Sequence, residues 1–206
     1  MKPNPTKHAI AFAPAKTILT GCIALTLVLT SCGGSGEKTA TDGATASTEA
    51  PSSEPAINET HFKVSDLVDL DLTSNGIPVT VKAPKDSKVM VYKTNGDVCV
   101  YGGKFFKMTF SQMDGALADN MEMIKGMIVD KELNPSFGKI EAEDANGFLK
   151  ADKDGKVSFR QFVQAGEKTV IISEGMPYDI SPDQFTDYSN DDIKVMYEAA
   201  KTTVAK

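Results

Sequence analysis

The chain carries no tryptophan, a single arginine (Arg160), two histidines and three cysteines in 206 residues. Each scarcity removes a class of chemistry. His8 falls in a stretch read below as a leader, so His61 alone would remain in the mature protein. Ser-His-Asp and Cys-His catalysis and most zinc sites are then without their imidazoles. With one arginine and no run of Lys/Arg, the sequence has no electrostatic footprint for nucleic acid. No glycine-rich loop follows a strand and opens a helix, as a phosphate-cradling loop must. No apolar run reaches the ~20 residues that span a bilayer. Carboxylates are plentiful instead, 28 Asp and Glu against 22 Lys and Arg, for a formal charge of −6.

The longest apolar run covers residues 17–30, a length that fits the ~7–15 residues of a signal-peptide core. It follows Lys2, Lys7 and Lys16 and closes on Leu29, Thr30, Ser31 and Cys32. Those four residues resemble the lipobox of bacterial lipoproteins. The resemblance implies that residues 1–31 are a signal peptide and that the Cys32 thiol carries a diacylglycerol. Leu19, Thr20, Gly21 and Cys22 spell a rival site. Lys16 interrupts the apolar run just upstream of it, and cleavage there would leave Ile23, Leu25, Leu27, Val28 and Leu29 exposed, so Cys32 is preferred. Two or more acyl chains at ~0.8 kcal/mol per buried methylene give stable attachment. The expected address is the cell envelope, anchored to a membrane by lipid on its periplasmic or extracellular face.

Removal of the three leader lysines leaves 19 basic against 28 acidic residues, a charge of −9. Anionic headgroups would repel that surface, so lipid and not a basic patch is the expected anchor. Cys22 leaves with the leader and Cys32 takes the lipid. Cys99 then has no disulfide partner, and packing must supply the stability. Residues 33–60 are rich in Gly, Ser, Thr, Ala and Glu, with Ile57 as their one large aliphatic side chain. Such a segment is predicted to be a disordered tether with an r.m.s. span of about 30 Å.

Residues 61–206 are predicted to form a single α+β domain, large enough to bury roughly 68–70% of its unfolded surface. Alternation at Val68, Leu70 and Leu72 predicts a half-buried strand, and residues 77–82 a second, with Pro78 at its start. Asp69 and Asp71 share the solvated face. Asn95-Gly96 joins strands over 89–94 and 97–101, and Gly102-Gly103 leads into a third over 104–110. Both faces of the first two are apolar, which predicts cover on both sides and makes Cys99 a small buried hydrophobe. A helix over 114–133 follows, capped by Asp114, with Leu117, Met121, Ile124 and Ile128 as its buried stripe and its methionines as core filling. Four strands come next, over 137–143, 148–152, 156–164 and 168–173. A phase slip between Phe159 and Phe162 predicts a bulge near Arg160 and Gln161. A last helix from about Asn190 buries Ile193, Met196, Tyr197, Ala200 and Val204.

Two stretches invite a metal. Asp152, Asp154 and Gly155 match positions three, five and six of an EF-hand loop, but the same register puts Lys150 first and Gln161 twelfth, where an acid and a bidentate glutamate belong. A hairpin turn accounts for them better. Residues 178–192 gather Asp179, Asp183, Asp187, Asp191 and Asp192. Ser181, Pro182 and Gln184 there fit a capping box at a helix start. No metal site is assigned and no cofactor is expected. Asp179, Asp183 and Asp187 are kept as candidate ligand-binding residues.

The element order is a strand pair, a three-strand meander, a helix, a four-strand meander and a helix. With the 77–84 segment Ile-Pro-Val-Thr-Val-Lys-Ala-Pro, the aromatic pair Phe105 and Phe106 and the closing helix, it resembles the PsbP-like superfamily. The resemblance implies an antiparallel sheet of about seven to nine strands flanked by two long helices, serving as an accessory or binding module. A cystatin-like fold is the runner-up. The expected function is a non-enzymatic, lipid-anchored module that binds an envelope protein. The alternatives are a small-ligand or cation-binding lipoprotein using the acidic 178–192 loop, and a carboxylate-dependent hydrolase.

Overall fold

A computed structural model describes residues 57–175 and 186–206. The leader, Cys32, the capping box read at Ser181 and the candidates Asp179 and Asp183 lie outside the described residues. The elements are β1 (Leu67–Asp71), β2 (Val79–Pro84), β3 (Lys88–Val91), β4 (Val98–Gly103), β5 (Phe106–Asp114), α1 (Leu117–Val129), β6 (Phe137–Asp144), β7 (Gly147–Asp152), β8 (Val157–Ala165), β9 (Lys168–Glu174), α2 (Asn190–Lys201) and β10 (Val204–Ala205). The fold is α+β and antiparallel, as expected. The strands form two sheets where the sequence predicted one. A seven-stranded sheet runs β3-β4-β5-β9-β8-β7-β6, and a three-stranded sheet runs β1-β2-β10.

Hairpin turns build the large sheet locally. Gly96 at φ 78° and Gly155 at φ 80° take the left-handed conformation their turns require. Asp152 Oδ1 accepts from the Asp154 and Lys156 N–H groups, at 3.0 and 2.9 Å, so the EF-hand look-alike is a self-capped hairpin turn. The two meanders are joined by β5 against β9, from Met108↔Glu174 to Asp114↔Lys168.

One face of the large sheet carries Phe110, Ile172, Phe159 and Leu149 into a core shared with the small sheet and α2. Ile193, Met196, Tyr197 and Ala200 of α2 are buried there, as their spacing predicts. Val204 is not part of that stripe. The helix ends at Lys201, and Val204 pairs with Thr80 as a short third strand, 57% exposed.

The other face is crossed by α1 at its β8–β9 hairpin end, and here the sequence reading needs three corrections. Asp114 does not cap the helix, because it is the last residue of β5, paired with Lys168. The helix starts at Leu117, whose N–H is received by Gln164 Oε1 of β8 at 2.7 Å. The predicted stripe of α1 is only half-buried. Met123 and Met127 are 44% and 48% exposed, so they are not core filling. The one buried residue of α1 is Asn120, which donates to Thr169 Oγ1 at 3.0 Å and to the Asp114 carbonyl at 3.1 Å. No bulge occurs in β8, which pairs continuously with β7 and β9. Phe159 enters the α2 core, whereas Phe162 meets Phe148 on the α1 side, so the apolar phase slip reflects cover on both faces.

The packed unit also begins earlier than His61. Asn58 donates to the Gly102 carbonyl at 3.1 Å and accepts from the Lys104 N–H at 2.8 Å, so Asn58–Thr60 belong to the domain and not to the tether.

A polar residue as the buried anchor of α1 makes a clear prediction. Asn120→Ala should cost about 1–3 kcal/mol in urea unfolding by leaving buried partners unsatisfied. Met127→Ser should stay within about 0.5 kcal/mol.

Candidate functional site

Alternation along a strand sends successive side chains to opposite faces. The strands that bury Met108, Phe110, Ile172 and Phe159 on the α2 side therefore present Thr109, Ser111, Ser173, Ser158 and Arg160 on the other. Lys150 joins them, because β7–β8 register places it opposite Ser158, with Arg160 two pairs away, on the same face, opposite Phe148. Beyond the end that α1 crosses, these residues floor a cleft of about 530 Å³. Its walls are the β3–β4 turn with Tyr92 and Asp97, the β7–β8 turn with Asp152 and Lys156, and Tyr188 and Ile193 beside the start of α2. Asn190 ties that helix start to the β7–β8 turn, donating to the Gly155 carbonyl at 2.9 Å and accepting from the Val157 N–H at 3.1 Å.

The cleft's formal charges balance, but among the described residues the acids are occupied and its two lysines are not; Lys156 is exposed to water, whereas Lys150 is not. Glu174 Oε2 accepts from the Phe159 N–H at 2.9 Å and lies 3.5 Å from Arg160 Nη1, which itself donates to the Phe159 carbonyl. Asp152 holds its turn, and Asp97 Oδ2 accepts from Asn95 at 2.7 Å. Lys150 is half-buried, and its ammonium has no hydrogen-bond or ion-pair partner among the described residues. Burial, and then the neighbouring Arg160 charge, hold its pKa below the ordinary lysine value, against the opposing pull of Glu174 and Asp152. The Thr109 and Ser158 hydroxyl oxygens are buried and also make no hydrogen bond. Burial pushes the Tyr188 phenol up, so it stays a neutral donor, directed at the Lys107 and Gly175 carbonyls at 3.4 Å.

Those residues singled out from the sequence that are described lie elsewhere. Asp187 is exposed and donates its backbone N–H to the Lys104 carbonyl at 3.0 Å. Asp191 pairs with Lys194 at 3.3 Å. Asp192 closes a capping box with Ser189 at the start of α2. Among the described residues no group of three or more His, Cys, Asp and Glu is placed to hold a metal ion. Asp69 and Asp71 pair with Lys82 and Lys206 at 2.9 and 3.4 Å on the solvated face. Cys99 is fully buried in β4, as its apolar run predicts.

His61 has a structural task that its position at the tether boundary did not announce. Its ring stacks on Phe105 with centroids 3.7 Å apart, and Nδ1 lies 2.7 Å from Asp192 Oδ1. The Asp192 carboxyl is penalised by burial, but hydrogen bonds from Ser189 and His61 outweigh that and hold its pKa below 3.8.

Comparison with protein-family models, curated proteins and solved structures finds no match to this chain. The candidate site therefore rests on its own geometry.

A depressed carboxylate pKa contributes stability above the unfolded value, and that contribution disappears as pH falls through the lower folded value. Asp192→Ala should accordingly cost about 1 kcal/mol at neutral pH. In a series of unfolding curves at decreasing pH the gap to wild type should close, and a gap that widens in acid would contradict the assignment.

Proposed function

We propose that this chain is a non-enzymatic binding module of the cell envelope, held to a membrane by lipid on Cys32, and that it takes its ligand in the cleft over the outer face of the large sheet. The observation that carries this reading is the half-buried Lys150 ammonium, without a hydrogen-bond or ion-pair partner among the described residues, beside Arg160 in a concave polar site. A cation kept in that state is poised to receive an acceptor from outside. Binding is favoured over hydrolysis because the acids nearest Lys150 are spent as acceptors. Glu174 and Asp152 each receive backbone N–H groups, which suits fixed structural roles and not proton transfer. The order of strands and helices fits the PsbP-like resemblance and its implied accessory role. A cystatin-like fold would leave β1, β2 and the buried face of α2 without a place.

A second reading, docking of an envelope protein, is favoured by the apolar side chains Met123, Met127, Val129 and Leu133, all exposed on or just beyond α1. The two readings separate in one experiment. The lipidated chain is crosslinked in membranes and its bound material recovered, in wild type and in the variants Lys150→Met and Met127→Asp. Loss of the bound material with Lys150→Met alone is the expected result, whereas loss with Met127→Asp alone would transfer the site to α1. Cys32→Ala should move the chain from the membrane fraction to the soluble fraction. Retention of that variant on membranes would remove the lipid anchor from the proposal.

A further inference from the structure

We propose that the cleft is a phosphate site, in which Lys150, Arg160 and the Ser158 hydroxyl hold the phosphoryl group of a small phosphomonoester. The inference rests on the cleft being the binding site and goes on to name what enters it.

The donor set decides the chemistry. Lys150 offers three N–H donors that rotate freely, and none is engaged. Ser158, opposite Lys150 on β8, adds a hydroxyl that makes no hydrogen bond among the described residues. Lys150 and Ser158 face each other across β7 and β8, and Arg160 follows Ser158 on the same face, so these three present donors to one part of the cleft. A tetrahedral oxyanion accepts from several directions at once, which a planar carboxylate does not. The usual carboxylate clamp is the two-pronged face of an arginine. That clamp is compromised here, because Arg160 Nη1 already donates to the Phe159 carbonyl and faces Glu174. Arg160 thus adds charge and its remaining N–H groups without dictating a planar partner.

The size of the cleft excludes a bare anion as its full occupant. At about 530 Å³ it falls within the ~300–1,000 Å³ of small-molecule sites. Tyr92 and Tyr188 supply the less polar wall against which an organic moiety would rest. A phosphoryl group on the floor with a small carbon skeleton along that wall fills both parts. A membrane headgroup is a poor source, because the mature chain's charge of −9 opposes approach to anionic lipid.

The vacant ammonium has a second consequence, which makes the proposal testable without depending on a destabilised variant. Half-burying a charge that has no partner disfavours the folded state. Lys150→Met should therefore fold at least as stably as wild type while losing the ligand, so that stability and binding move in opposite directions.

The full-length lipidated chain in nonionic detergent is melted at constant ionic strength in sodium chloride, sodium acetate, sodium phosphate and glycerol 3-phosphate. The melting temperature should rise with phosphate, further with glycerol 3-phosphate, and not with acetate or chloride. Lys150→Met should melt no lower than wild type without ligand and bind the phosphate probes on the order of ten- to a hundredfold more weakly, as loss of a charge-assisted hydrogen bond predicts. Lys153→Met, at an exposed position in the adjacent turn, should bind as wild type does. Equal phosphate responses in wild type and Lys150→Met would overturn the proposal. So would an acetate response as large as that to phosphate, or no response to either phosphate probe. If the phosphate response is absent but Lys150→Met still abolishes capture from membranes, the cleft stands and only the phosphate assignment falls. If capture is also unaffected, the cleft itself is the wrong site.

Discussion

The ladder between β5 and β9 is the contact on which the rest of the domain depends. It pairs Met108 with Glu174 at one end and Asp114 with Lys168 at the other, across more than fifty intervening residues. Closing a loop of that length costs on the order of 3–4 kcal/mol in chain entropy. Phe110, Met108, Ile172 and Val170, all fully buried along the same ladder, offset it at roughly 1.5–3 kcal/mol each. Without this pairing the chain would hold two separate meanders, each with an open edge and half a core. With it, α2 and the small sheet have one continuous surface to cover.

The same ladder makes the cleft. Because side chains alternate, every residue that β5 and β9 commit to the core places its neighbour on the outer face. Thr109 and Ser173 are opposite one another for the same reason that Phe110 and Ile172 are. The β7–β8 register adds Lys150 and Arg160 to that floor. A slip of one residue in either ladder would send the cations into the core and expose Phe159 and Leu149, so the burial that fixes the register also fixes the site. The site needs no special backbone, only the outer half of a pattern whose inner half is held by packing.

This explains what the sequence could and could not disclose. Turn chemistry at Asn95-Gly96 and Asp154-Gly155 is local, as is the apolar stripe of α2, and all were legible. The start of α1 was not. Asp114 has the residue type of a cap, but its role is set by Lys168, a strand partner that periodicity cannot see. The methionines of α1 have core-like spacing, yet Asn120 is what the helix buries, because its amide reaches Thr169. The cleft was hidden for a related reason. Thr109, Lys150, Ser158 and Ser173 are scattered across four strands, and each looks like an ordinary solvated position of an alternating strand. The acidic loop drew attention because its carboxylates are contiguous. Among its described residues, Asp191 and Asp192 lie in the first turn of α2, where Asp192 closes the capping box. Lys150 entered the sequence reading only as the residue that spoils a calcium loop.

Formal charge is a poor guide to the field inside such a site. The cleft counts as many acids as bases among its described lining residues, and the chain as a whole is acidic. Yet the potential at a point depends on how far each charge is already compensated nearby. Glu174 has the Phe159 amide and Arg160 against it, Asp152 two backbone amides, and Asp97 the Asn95 side chain. Lys150 has nothing of the kind, and burial has removed part of the water that would otherwise screen it. A hydrophobic residue at that position would continue the β7–β8 hairpin without the desolvation penalty, as Phe148 does two pairs away on the same face. The positive end of this cleft thus arises in an acidic protein whose local acids are held by backbone and side-chain donors, while the half-buried Lys150 ammonium has no direct partner among the described residues.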